Sequence, residues 1–532
     1  MADNRIFLYD STLRDGQQTQ GVDFSTADKV AISLELDQLG IDYVEGGWPG
    51  ANPADDQFFG RLPALQQARF AAFGMTRRPG RVAAEDRGLT VLLDSDAPVI
   101  CLVGKSWDFH VDIALRTTLE QNLEMISDSI KYCVDQGREA VFDAEHFFDG
   151  YKANPKFALQ CLKTALDVGA RWVVLCDTNG GTLPHEISEI VSAVAKKLPG
   201  SQLGIHCHND TGNAVANSLA AVRAGVRQVQ GTLNGLGERC GNANLISILP
   251  ALMLRMGFET GVSEDNLKQL VSVSHMLDER LNRNSDRHAP YVGANAFAHK
   301  GGLHVSAVQK DPRSYEHIDP DVVGNERRIL VSDQAGRANI LVRLAELGVE
   351  VDPAAPEINE LVTEIKQREH LGYAYDGASA SFEMLARRAL GQWQDHFELQ
   401  SFRVTDERRS GANGELETLS EATMKVSVNG VIHMTVAEGN GPVNALDNAL
   451  RKALLPAYPH LVDKQLVDYK VRILESSAGT AAVVRVMVES SDSQGRRWNT
   501  VGASGNVIEA SYQALFDAVN YKLFLGGVDQ AS

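Results

Sequence analysis

Up to about residue 245, short apolar runs alternate with segments of helical periodicity, and each run ends in a cluster of polar or glycine residues. Such alternation reads as repeated βα units, which build a parallel sheet covered by helices. Eight runs qualify as strands: Ile6 to Tyr9, Tyr43 to Glu45, Phe70 to Phe73, Val99 to Val103, Ala140 to Phe142, Trp172 to Leu175, Leu203 to Ile205 and Gln228 to Gly231. Eight is the number that closes a (β/α)8 TIM barrel, so an α/β barrel is predicted over residues 1–275. Between the first two strands, Ser25 and Asp28 fit a capping box. Val30, Ala31, Leu34 and Leu39 then recur at helical spacing, as the core face of a barrel helix would.

The chain is too long for one core. After Glu264 the pattern is helical through Leu281, and Arg283 to Gly324 is rich in His, Gly and Pro. A second helical stretch runs from Gln334 to about Leu390, broken by Pro353 and Pro356. Together these predict a largely helical linker portion over 276–395. From about Phe397 the pattern changes to alternating strands, giving a third region over 396–532 that contains an internal repeat. The segment Thr435 to Leu454 aligns without gaps on Thr500 to Val519, pairing Ala445 with Ala510, Ala449 with Ala514, Leu450 with Leu515 and Ala453 with Ala518 on one face of each helix. Two copies of a strands-then-helix unit predict a duplicated α+β module. Such a module serves either as a dimerisation device alone or as a binding site for an effector between its halves.

Composition narrows the function classes. A formal charge of −18 argues against nucleic acid or an anionic membrane as partner, since both need clustered Lys and Arg. No apolar stretch approaches the roughly 20 residues that cross a bilayer, and the opening MADNRIFLYD has no basic region followed by an apolar one. The six cysteines form no CxxC pair, which suits a reducing cytosol and predicts buried, inert thiols. A cytoplasmic enzyme acting on small molecules is the expectation.

On a barrel, the carboxyl ends of the strands open onto the face where chemistry is done. His206 and His208 stand two apart at the end of the seventh run, so both imidazoles can address one point. Asp15, in the cluster after the first run, offers a hard oxygen, and Arg14 beside it can stabilise an oxyanion. Asn242, after the eighth, can complete a mixed oxygen and nitrogen set suited to Mg²⁺, Mn²⁺ or Zn²⁺. Asp143 and Glu145 end the fifth run with carboxylates that can orient a substrate or move a proton, and Thr178 follows the sixth with a hydroxyl.

The segments STLRDG (Ser11 to Gly16), GIHCHNDTG (Gly204 to Gly212), NGLGERCGNAN (Asn234 to Asn244) and FAHKGGLHVSAV (Phe297 to Val308), with the duplicated C-terminal module, resemble the DRE-TIM metallolyase superfamily. Within it they resemble the isopropylmalate, homocitrate and citramalate synthases. EGGWPGANP (Glu45 to Pro53), EHFFDGY (Glu145 to Tyr151) and YEHIDPDVVGN (Tyr315 to Asn325) look most like the citramalate-forming branch. The resemblance implies a divalent metal held by Asp15, His206, His208 and Asn242, and a 2-keto acid, pyruvate, chelating it. It implies that Arg14 stabilises charge on the keto oxygen, Glu145 orients or deprotonates, Thr178 binds the substrate carboxylate, and His304 and Tyr315 assist enolisation of acetyl-CoA. It further implies a homodimer or higher oligomer, and isoleucine as inhibitor near Gly439, Gly441, Pro442, Ser504, Gly505 and Asn506. Asp143 departs from the pattern, standing where some members carry an aromatic residue, and so belongs to the expected substrate pocket. Three rivals share parts of this reading: a synthase for a larger keto acid, an acyl-CoA lyase, which usually lacks the C-terminal duplication, and a non-catalytic amino-acid sensor on a relic barrel.

Overall fold

In the computed structural model of the chain, residues 4–330, 336–410, 416–474, 479 and 482–527 are described. Strands β1 (Phe7–Asp10), β2 (Tyr43–Gly47), β3 (Arg69–Met75), β4 (Val99–Lys105), β5 (Glu139–Glu145), β6 (Trp172–Asp177), β7 (Leu203–Cys207) and β8 (Gln228–Gly231) form a closed parallel barrel in chain order. Closure is made by β1 on β8, with Tyr9 opposite Gln230 and Asp10 opposite Gly231. The period-two alternation of each strand sorts its side chains. Tyr9, Tyr43, Phe73, Val141, Trp172 and Val174 form a separate cluster that fills the barrel, while Leu8, Val44, Ala72, Ile100, Phe142 and Val173 join the sheath packed against the helices.

Several strands run further at their carboxyl ends than the apolar runs predict. β4 continues to Lys105, β5 to Glu145, β6 to Asp177 and β7 to Cys207. Ladder hydrogen bonds do not depend on side-chain polarity, so the sheet continues through the polar residues that an apolar-run reading takes for its end.

The first barrel helix, Thr26–Leu39, carries the expected capping box, with Ser25 accepting from Asp28 N–H and the Asp28 carboxylate accepting from Ser25 N–H. Its predicted core stripe needs correction. Leu34 is 43% exposed, and Val30 and Ala31 are only partly buried; Ile32, Leu36 and Leu39 face inward together with Lys29. A charged residue sets that phase. Lys29 is fully buried, donating to Leu13 O at 2.8 Å, Gly46 O at 2.9 Å and the Asp55 carboxylate at 2.5 Å. One ammonium thus ties the helix to the loop after β1, to the end of β2 and to the helix Pro53–Phe59.

The chain divides into two compact units, residues 1–297 with 317–327, which contains the barrel, and 298–316 with 328–532. The second unit opens with the parallel pair β9 (Ala298–His299) and β10 (Arg328–Ile329) and the helix Gly302–Lys310. The helical stretch predicted from Gln334 begins, among described residues, at Arg337; Gln334 itself lies outside them. Its helices are Arg337–Glu346, Glu357–His370 and Ser379–Ala389, with Pro353 and Pro356 in the first interruption.

The predicted duplication is present. β11 (Glu398–Ser410), β12 (Leu416–Val428) and β13 (Val431–Gly439) form one three-stranded antiparallel sheet, followed by the helix Pro442–Leu454. β14 (Gln465–Ile473), β15 (Val484–Ser491) and β16 (Arg497–Ser504) form another, followed by the helix Val507–Leu525. The likeness extends to single hydrogen bonds. Thr435 Oγ1 donates to Ala449 O at 2.8 Å, and the aligned Thr500 Oγ1 donates to Ala514 O at 2.7 Å.

Replacing Lys29 strands the buried Asp55 carboxylate. Lys29→Met is expected to cost about 3–5 kcal/mol, read as a lowered thermal midpoint for the full chain, and an unchanged midpoint would show that the ammonium bears no such load.

Candidate metal centre

The loop after β1 turns tightly on one acceptor, Ser11 O, which receives the N–H groups of Arg14, Asp15 and Gly16 at 3.2, 2.8 and 3.1 Å. This turn presents Asp15 at the barrel mouth. His206 lies within β7 and His208 just beyond it, because the strand continues two residues past the apolar run that ends at Ile205. Asn242 arrives by an antiparallel bridge with His208, held by Asn209 N to Gly241 O at 2.8 Å and Ala243 N to Cys207 O at 2.9 Å. The glycines of that loop are required by contact: at Gly237, with φ of +157°, a Cβ would stand 2.1 Å from Asn242 Oδ1.

These elements bring Asp15, His206 and His208 together, all buried, with one donor atom from each within 4.8 Å of the others. Asp15 Oδ2 is 3.3 Å from His206 Nε2, which is 3.4 Å from His208 Nε2. Asn242 Nδ2 donates to Asp15 Oδ2 at 2.8 Å and lies 3.3 Å from His206 Nε2. Asn242 Oδ1 is buried without a partner among the described residues, and turning the amide over would aim that acceptor at the group. Two imidazoles, a carboxylate and an unsatisfied amide oxygen are a donor set that fits a divalent cation.

The electrostatics agree with that use. Burial and the neighbouring His206 push His208 down to about 4, leaving a neutral imidazole at pH 7. Burial alone would raise the Asp15 carboxyl, but Arg14, His206 and His208 together hold it below the usual carboxylate range. His206 is lowered by burial and raised by its contacts with Asp15, and the second effect is larger. Its orientation is set by a relay. His206 Nδ1 is 2.8 Å from Gln230 Oε1, and Gln230 Nε2 donates to Asp143 Oδ1 at 3.0 Å. The amide oxygen can only accept, so Nδ1 donates to it and Nε2 is the ring nitrogen left facing Asp15. Burial pushes Asp143 up to about 6.

Arg14 is clamped beside the group, with Nε donating to Glu45 Oε2 at 2.7 Å, Nη1 at 3.5 Å from Asp15 Oδ2, and its guanidinium carbon 3.9 Å from the centre of the Phe73 ring. Tyr9 OH donates to the other Glu45 oxygen at 2.7 Å. Glu145, at the end of β5, pairs with Lys105 at the end of β4. Thr178 Oγ1 accepts from His146 N–H at 2.9 Å, which leaves its own O–H to donate, and Thr178 O accepts from Arg239 at 2.7 Å. His304 and Tyr315 belong to the second unit, where their rings stack with centroids 4.1 Å apart. The six effector candidates fall at equivalent turns: Gly439, Gly441 and Pro442 lead from β13 into its helix, and Ser504, Gly505 and Asn506 lead from β16 into its own.

Residue reasoning missed Glu45, Gln230, Lys105 and Arg239 as parts of this network. Their signal is a polar residue at a strand's carboxyl end or in its following loop, the same one that marks Asp15 and His206. Of the cysteines, five are buried as expected and Cys240 is exposed.

The family model described as HMGL-like matches residues 5–277. One for a homocitrate synthase post-HMGL domain-like region matches 291–371, and one for a LeuA allosteric (dimerisation) domain matches 376–523. The (R)-citramalate synthase of Aquifex aeolicus is 52% identical over 521 residues, covering 98% of each chain. That of Geobacter sulfurreducens is 52% identical over 520 residues, covering 97% of each. A probable 2-isopropylmalate synthase of Methanopyrus kandleri is 31% identical, covering 97% of this chain and 98% of its own.

Gln230→Met keeps side-chain length but removes both hydrogen bonds of the relay. Calorimetric titration with Mn²⁺ is expected to show affinity falling by about 10–100-fold; unchanged affinity would mean that His206 needs no such support.

Proposed function

The chain belongs to the HMGL-like family, and from that membership we propose that it condenses acetyl-CoA with pyruvate and hydrolyses the thioester, releasing (R)-citramalate and CoA. The carrying observation is the convergence of buried Asp15, His206 and His208 at the barrel mouth, in a chain that pairs with (R)-citramalate synthases over 98% of its length. Asp15, His206, His208 and Asn242 hold the divalent cation. When bound, that ion supplies Lewis-acid polarisation of the keto carbonyl.

The chain's own residues do the rest. Arg14, fixed between Glu45 and the Phe73 ring, stays charged and stabilises the alkoxide that forms on the keto oxygen. The Thr178 O–H, left free by the bond from His146 N–H, donates to the substrate carboxylate. Glu145, paired with Lys105, orients the reactants or accepts a proton. Asp143, buried and bonded by Gln230, forms part of the pocket wall. His304 and Tyr315 assist removal of the proton from the acetyl methyl. The working division is a catalytic region at 1–275, a linker at 276–395 and a regulatory, dimerising region at 396–532. The match to an allosteric dimerisation domain supports a homodimer under effector control. Isoleucine is its inhibitor, bound near Gly439, Gly441, Pro442, Ser504, Gly505 and Asn506. Among the described residues no helix is long and apolar enough to cross a membrane; with its unpaired cysteines, this supports work in the cytosol.

A thiol-release assay across pyruvate, 2-ketobutyrate, 2-ketoisovalerate and 2-ketoglutarate should give the highest kcat/KM with pyruvate and none after chelation; preference for 2-ketoisovalerate would instead mark an isopropylmalate synthase. Asp15→Ala and His208→Ala should each lower CoA release by more than about 100-fold, beyond the loss typical of outer partners, with thermal midpoints near wild type. Wild-type rates in either variant would remove the metal assignment.

A further inference from the structure

His304 and Tyr315, the pair that assists proton removal from the acetyl methyl, are exposed residues of the second unit. Their rings stack with planes 25° from parallel, and neither side chain makes a hydrogen bond among the described residues. Stacking sets the two rings relative to each other. What sets the place of the pair lies beneath it.

The segment that leads to His304 is anchored through its backbone. β9 ends at His299, whose carbonyl accepts from Leu330 N–H at 2.9 Å, and the next carbonyl, Lys300 O, accepts from the fully buried Asn339 at 3.1 Å. The helix Gly302–Lys310 then begins, with Val305 and Val308 buried and His304 in its first turn.

The segment that carries Tyr315 is built differently. Its bonds are local: Asp311 accepts from Arg313 N–H and from the Arg313 guanidinium, while Tyr315 N–H and Glu316 N–H both reach Pro312 O, at 3.1 and 2.9 Å. These bonds shape the turn without setting where it lies. Glu316 makes the longer connection, with Oε1 at 3.0 Å from His299 Nε2 and both residues only 8% exposed. With the carboxylate ionised the imidazole donates, and a hydrogen bond to a charged group withdrawn from water is among the stronger ones. It joins the residue after Tyr315 to the strand end five residues before His304. Neither group is open to a substrate at that exposure, so the pair acts through what it holds.

We infer that His299 and Glu316 are positioning residues for proton removal: their buried bond holds the Tyr315 turn to the end of β9, so that the two stacked rings meet the acetyl methyl as one unit. The inference rests on the role proposed for His304 and Tyr315.

The test is steady-state kinetics of the full chain with acetyl-CoA and with its trideuterioacetyl form. His299→Leu removes the donor and strands a buried carboxylate, so the paired variant His299→Leu with Glu316→Met, in which no polar partner is left unmet, is measured beside it, and thermal midpoints report that each folds. In both, kcat is expected to fall by about 10–100-fold, as misplacement of reacting groups does, while the KM for pyruvate stays within about twofold, because binding of the keto acid is untouched. The deuterium isotope effect on kcat should rise, since removal of the methyl proton has slowed relative to the other steps. His299→Gln keeps a donor and should recover most of the lost rate. Wild-type kcat in both variants, a fall in kcat with no change in the isotope effect, or a His299→Gln protein as slow as His299→Leu would overturn the inference. His304→Ala separates it from the reading on which it rests. If that variant is slowed and the His299 variants are not, the positioning role alone is lost; if His304→Ala keeps the wild-type rate, the part played by the stacked rings fails and the inference falls with it.

Discussion

The pairing of β1 with β8 is the contact on which the rest of the first unit depends. In an open sheet with the same strand order these would be the two edges, separated by seven strand spacings of about 4.8 Å each. Closure places Tyr9 opposite Gln230 and Asp10 opposite Gly231, and it lets Asn242 Nδ2 reach Asp15 Oδ2 at 2.8 Å across 227 positions of sequence. The loops are locked together as well: Leu233 N–H donates to Thr12 Oγ1 at 2.8 Å, and Thr12 is itself held by Asp10. Side chains that follow the first and last strands thus become neighbours only because the sheet has no edge.

Burying charge at that junction requires each group to have an opposite or a hydrogen-bonding neighbour. Arg14 lies between Glu45 and Asp15, Glu45 also accepts from Tyr9, and Lys29 anchors the loop from beneath through Leu13 O. The network leaves few groups unsatisfied, and those it does leave are informative. Asn242 Oδ1 and His208 Nδ1 are buried without partners among the described residues, and Asn242 belongs to the cluster whose donors fit a cation. A wall this heavily bonded holds its donors in place before any ion or substrate arrives, which is what electrostatic stabilisation of a developing charge needs.

The second unit shows how a duplication keeps its frame while its sites diverge. The Thr435 to Ala449 and Thr500 to Ala514 hydrogen bonds are the same bond made twice, since each closes the helix onto its own sheet. Among the aligned positions of those helices that differ, three change together. Where the first copy pairs Arg451 with Asp447, the second lines a cavity with Phe516, Tyr512 and Asp517. The frame constrains apolar faces and backbone bonds, whereas the polar positions between them were free to change.

The number of βα units, the polar clusters at their ends, the HxH pair, the proline break before Glu357 and the repeat were all legible in the chain, because each follows from local periodicity or self-similarity. Local pattern did not reveal the true phase of the first helix, which a buried lysine sets, or the continuation of strands through polar residues. Nor did it show that Glu45 and Gln230 are the partners of Arg14 and His206. Those facts depend on which distant groups share a low-dielectric interior. Sequence by itself determined the units and the residue types at their ends; only closure of the barrel decided which of those residues meet, because a buried charge takes its partner from space and not from chain order.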